Sequence, residues 1–77
     1  MVNFYFVVMD TTRDREDPAQ MWFTSSNCNH DLAGFVRAIA ERNRTEFEKM
    51  RLFIYPSKKD WEAARTAFVK RADWSRV

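Results

Sequence analysis

A chain of 77 residues allows one domain, here spanning residues 1–77, and at that size a single hydrophobic core is marginal. Aromatic residues make up 16% of it, with seven Phe, three Trp and two Tyr, against one Gly and two Pro, which excludes a linker-rich or disordered design. One cysteine, Cys28, excludes an internal disulfide, and the net charge of +2 is too small for a dedicated duplex-DNA binder.

Compartment and charge distribution follow from the same inventory. "MVNFYFVVMD" has no basic residue ahead of its apolar run, so it does not read as a secretory leader. No uncharged stretch approaches the roughly 18 residues of a membrane helix. The expectation is a reducing, cytoplasmic location without membrane contact. Residues 1–40 carry three Lys/Arg and five Asp/Glu, and residues 41–77 carry ten and six, so the C-terminal half is the basic one.

The first element, "VNFYFVVMD" (Val2 to Asp10), is a strand that is apolar on both sides. Val2, Phe4, Phe6 and Val8 share one face, and Tyr5, Val7 and Met9 share the other. "TTRDREDPAQ" is polar and interrupted by Pro18, which marks a long loop. "MWFTSS" (Met21 to Ser26) is a second, β-prone strand, antiparallel to the first. In "NCNHDLAGFVRAIAERN", Leu32, Phe35, Val36, Ile39 and Ala40 form one helical stripe, with Asn29 as a candidate N-cap and Arg42 and Arg44 at the C-terminal end.

"FEKMRLFIYPS" reads as a third strand ended by Pro56, with Met50, Leu52 and Ile54 on one face and Arg51, Phe53 and Tyr55 on the other. Ser57 and Asp60 then open a final helix whose stripe is Trp61, Ala64, Phe68 and Ala72. Trp74 falls off that stripe, on a frayed end or facing solvent. The sum is an α+β fold of order ββαβα. A right-handed crossover places the third strand beside the first, giving a three-stranded antiparallel sheet in order 2-1-3 with two helices packed on one face.

On that arrangement no helix covers the second sheet face. Tyr5, Val7, Met9, Trp22, Arg51, Phe53 and Tyr55, with Trp74 on the last helix, become the candidate partner-binding residues. Six such apolar side chains expose about 400 Å², comparable to the largest patch on an ordinary monomer. Which of Trp22 and Phe23 faces the helices is open at this level. The expected cover is another protein, a second copy in a homodimer, the Thr11–Gln20 loop folded back over the sheet, or, with less support, single-stranded nucleic acid stacked on Tyr5, Phe53 and Tyr55 beside Lys49 and Arg51. The Lys/Arg-Gly-aromatic run of the common RNA-binding sheet is absent.

Catalytic and metal constellations are thin. Cys28 and His30 lack the further Cys or His that a zinc site wants, and their spacing is poor for a nucleophile–base pair. Asp10, Asp14, Glu16 and Asp17 are interrupted by Arg13 and Arg15 and lack the turn glycine of a calcium loop, so they read as a solvated, charge-alternating loop. The sole glycine, Gly34, sits inside a helix, which leaves no phosphate-cradling loop. No catalytic, metal or cofactor site is expected. The expected role is a non-catalytic stoichiometric inhibitor or adaptor, of the kind phages encode against host defences or enzymes. That expectation rests on class analogy.

Overall fold

The computed structural model describes residues 4–26 and 31–76. The strands are β1 (Phe4–Asp10), β2 (Met21–Ser26) and β3 (Met50–Tyr55), and the helices are α1 (Leu32–Arg42) and α2 (Lys58–Arg71). Short 3-10 turns cover Phe47–Lys49 and Trp74–Arg76. The sheet order is β2-β1-β3, with both neighbours antiparallel to β1. Fold class and strand order therefore match the expectation. The run "FEK", read above as strand, instead forms the turn that leads into β3.

The helices do not share a face. The register sets Val8 between Trp22 and Leu52, and Val7 between Phe23 and Phe53. α1 packs on the Val8 side: Val8, Val36, Ile39, Ala40 and Met50 form a buried cluster, with Trp22, Phe35 and Leu52 against it. The Phe35 ring also meets Phe6 edge-on at 5.6 Å. α2 packs on the Val7 side. Its Trp61 ring lies 5.6 Å from Tyr5 and 6.1 Å from Phe23, and Phe68 lies 5.7 Å from Phe23. The Trp61 indole N–H donates to the Phe6 carbonyl at 3.1 Å.

This arrangement overturns the expectation of two helices on one face, and geometry gives the reason. With neighbouring strands about 4.8 Å apart, the outer strands of a three-stranded sheet are about 10 Å apart, the width of a single helix. A second helix on the same side would overhang the edge while the other face stayed wet. One helix per face removes Val7 and Val8 from water together, and both are fully buried. Each such side chain contributes roughly 1.5–3 kcal/mol. The cover for the second face comes from α2, within the chain.

Local signals explain the helix ends. Ser57 caps α2 by accepting from the Asp60 N–H at 3.3 Å, as its spacing predicts. Asp31 caps α1, accepting from the Gly34 N–H at 3.0 Å from a left-handed conformation at φ 55°. Asn29, the sequence candidate, lies outside the described residues, as do Cys28 and His30. Gly34 has a specific reason to lack a side chain: a Cβ there would run into the Asp31 carboxylate. At the other end of α1, the Thr45 N–H donates to Ala40 O at 2.8 Å and the Arg44 N–H to Glu41 O at 3.1 Å. Arg44 sits between them at φ 57°, the left-handed residue of a Schellman motif that glycine usually occupies.

Candidate binding surfaces

The polar loop of residues 11–20 is built around one carboxylate. Asp10 is fully buried at the end of β1, where it accepts from Thr12 Oγ1 (2.6 Å), the Thr12 N–H (2.9 Å), Thr45 Oγ1 (2.7 Å) and Asn43 Nδ2 (3.0 Å). Arg13 Nε stands 3.7 Å away. Burial alone would push the Asp10 carboxyl upward, but the bonds from Thr12, Thr45 and Asn43 favour the ionised form and hold it below the ordinary carboxylate range. The reading of Asp10 as part of a solvated acidic loop is therefore corrected. It is a satisfied structural hub that joins β1 to the end of α1.

The loop is fixed at both ends of this hub. Arg13 donates to Asn43 O at 2.7 Å and pairs with Asp17 at 3.3 Å, while Asn43 Nδ2 donates to Ala19 O at 3.0 Å. From the other side of the sheet, Arg71 donates to Arg15 O at 3.0 Å and Gln20 Oε1 at 2.7 Å, and the Asp73 N–H donates to Glu16 O at 2.7 Å. Among the described residues no group of three or more His, Cys, Asp or Glu could hold a metal ion. No described helix is long and apolar enough to cross a membrane.

The seven candidate residues on the strands separate into three places. Val7 lies beneath α2 in the core, and Tyr5, half-buried, packs against Trp61 of the same helix. Met9, on the same face between Met21 and Arg51, is half-buried. Trp22 is on the opposite face, against the α1 cluster, with the Arg42 guanidinium 5.1 Å from its ring centre. Arg51, Phe53 and Tyr55 remain accessible on β3, with Phe53 44% exposed. Ile54, expected under the helices, is the most open of the large apolar residues at 62%. A base-stacking platform of Tyr5, Phe53 and Tyr55 is not assembled, because Trp61 sits over Tyr5.

On the opposite edge of the sheet lies a groove of about 570 Å³. One wall is the loop, through Arg13, Asp17, Pro18 and Ala19, and the other is Arg65, Phe68 and Val69 of α2 with Trp74 beyond it. Met21, Trp22 and Phe23 of the outer strand line it between those walls. Trp74 is 49% exposed, its ring 6.0 Å from Phe68 and its indole N–H donating to Val69 O at 3.0 Å. Arg13 and Asp17 neutralise each other, whereas the exposed Arg65 has no ion pair among the described residues.

The groove was only partly legible. The sequence marks Trp74 as an off-stripe aromatic, but Arg65 is one of many basic residues on a polar helix. The helical stripe marks Phe68 as core, which it is, and its ring also shapes the groove wall. What joins them is the docking of α2 on the Val7 face, which no local pattern encodes. Comparison with known proteins found no matching family model, no matching curated protein and no matching solved structure.

Proposed function

We propose that this chain is a non-catalytic protein-binding module, a stoichiometric inhibitor or adaptor, which takes an extended segment of another protein into the groove beside β2. The observation that carries this reading is the groove's construction: an outer strand along it, aromatic rings at one wall and the exposed Arg65 guanidinium, which has no ion pair among the described residues. An outer strand offers backbone groups for strand addition, and side-chain pockets beside it supply selectivity. Phe23, Phe68 and Trp74 suit a large apolar side chain, and Arg65 suits a carboxylate near it. The volume lies within the usual range for sites that enclose a compact ligand group.

Selection from a library of short random peptides displayed on a carrier tests this directly. Enriched peptides should combine an acidic and a large apolar residue, and Arg65→Glu or Trp74→Ala should reduce their affinity at least tenfold while leaving the circular dichroism unchanged. Peptides that bind both variants as tightly as the parent would place the contact elsewhere. A single-stranded oligonucleotide that outcompetes the peptides, with affinity falling steeply as salt rises, would favour nucleic-acid binding instead.

A further inference from the structure

The two outer strands are not equivalent. β2 borders the groove, flanked by the loop and the end of α2. β3 pairs with β1 residue for residue, without a bulge, and is the other outer strand. Its six residues "MRLFIY" include one charge, Arg51, and no proline before Pro56. Edges of this kind are usually blunted by charges, proline or a bulge. Phe53 and Ile54 are both exposed, and as sequence neighbours in a strand they lie on opposite faces. A partner lying on one helical layer would cover only one of them. A strand added to the edge covers both.

We infer that the occupant of this edge is a second copy of the chain, added antiparallel through β3 across a two-fold axis perpendicular to the sheet. Such an axis keeps each residue opposite one on its own face, so the strand must turn about a residue and not between two. Turning about Ile54 sets Leu52 opposite Pro56, which has no N–H to donate. Turning about Leu52 sets Ile54 opposite Met50, which is already buried in the α1 cluster. Turning about Phe53 sets Pro56 opposite Met50 only at the end of the strand, where the Met50 carbonyl already accepts from Arg51 Nη1 at 2.8 Å, and leaves residues 51–55 paired without either defect. It pairs Phe53 with Phe53 of the partner subunit, Ile54 with the partner's Leu52, and Arg51 with the partner's Tyr55.

The chemistry of those pairs is complementary. Two aromatic rings meet at the axis, two aliphatic side chains pack on the other face, and each Arg51, whose Nη1 donates to its own Glu48 and Met50 carbonyls at 3.0 and 2.8 Å, stands opposite a tyrosine and not a like charge. The result is one six-stranded sheet in the order β2-β1-β3-β3-β1-β2, with a groove at each far end. An interface built on an edge is at the small end of the usual range, so association at about micromolar concentrations is expected.

Sedimentation equilibrium across a dilution series reads this out. The parent chain should move from 9.3 kDa toward twice that mass as concentration rises, and Ile54→Lys and Phe53→Lys should both stay at 9.3 kDa with an unchanged circular dichroism spectrum. Hydrogen exchange on the unmodified chain needs no variant: amides within residues 51–55 should become slower to exchange with concentration. A single 9.3 kDa species up to about 1 mM, a dimer that survives both substitutions, or a doubled mass with concentration-independent exchange at 51–55 would overturn the inference. Arg65→Glu and Trp74→Ala lie at the opposite edge and should leave the mass curve unchanged, so the groove and the dimer stand or fall separately.

Discussion

The two faces of the sheet are covered by helices of unlike character. α1 meets Val8 and Met50 through Val36, Ile39 and Ala40, a closely spaced aliphatic stripe with three buried residues in eleven. α2 is longer and polar, and of its fourteen residues only Phe68 is buried. It is held by a few large groups at long intervals: Trp61 over Tyr5 and Phe23, Phe68 over Phe23, and Arg71 tied to the loop. Aliphatic packing spreads its energy over many small contacts, whereas aromatic docking concentrates it in two side chains. The second mode leaves open space between contacts, and the groove occupies that space.

The sharpest way to break this comparison is to remove one residue from each face. Phe68→Ala should cost about 3–5 kcal/mol, because Phe68 is the one fully inward residue of α2 and supports both Phe23 and Trp74. Ile39→Ala should cost about 2–5 kcal/mol, with the lower values expected where neighbours collapse into the space. Urea unfolding measures both. Native-state hydrogen exchange adds the test of mechanism: α2 should open at lower free energy than α1 in the parent chain, and Phe68→Ala should speed exchange in α2 far more than in α1. Equal exchange from the two helices in the parent would show that the layers are equally secure.

The Asp10 hub lies at the end of β1 shared by both layers, and it makes stability depend on pH. Its carboxyl sits lower in the folded chain than in the unfolded one, where a value near 3.9 is usual. The hub's contribution is therefore complete above about pH 4 and is lost as pH falls through the lower folded value. Asp10→Asn removes the charge but keeps the shape, and should cost about 2–3 kcal/mol at neutral pH by setting an amide against the Asn43 amide. Stability measured from pH 6 to pH 2 should then fall less steeply than in the parent. An unchanged slope would assign the acid sensitivity to other carboxylates.

The smallest expected effect concerns the end of α1. Arg44 adopts φ 57°, a conformation that costs a side-chain-bearing residue about 1 kcal/mol and glycine almost nothing. Arg44→Gly should therefore stabilise the chain by about 0.5–1 kcal/mol, with part of the gain offset by the greater freedom of glycine when unfolded. A loss of stability in thermal melts would show that the arginine makes a contact that outweighs its backbone.

How much could be read in advance is clear from particular residues. The stripe from Leu32 to Ala40 announced α1 because its apolar residues recur every three to four positions. The alternation of Met50, Leu52 and Ile54 with Arg51, Phe53 and Tyr55 announced β3. The Ser57–Asp60 spacing announced the start of α2. Asp10 gives no local sign of its role, because an aspartate in an acidic run looks solvated and its donors Thr45 and Asn43 arrive from more than thirty residues away. Trp22 and Phe23 could not be told apart by propensity, since both are large, aromatic and β-prone. Their faces are decided by the register with Val8 and Val7.

By itself the sequence determined the elements, the strand order and the two-sided apolarity of β1, because period, capping and turn chemistry act over a few residues. It also identified the stripe that α2 buries. Only the tertiary structure decided which side of the sheet α2 takes, since an amphipathic helix states which face is inward and not what lies beneath it. The width of three strands, enough for one helix per side, made that choice. With it Val7 passed from surface to core, Tyr5 came against Trp61, the groove opened beside β2, and the exposed apolar residues of the sheet gathered on β3.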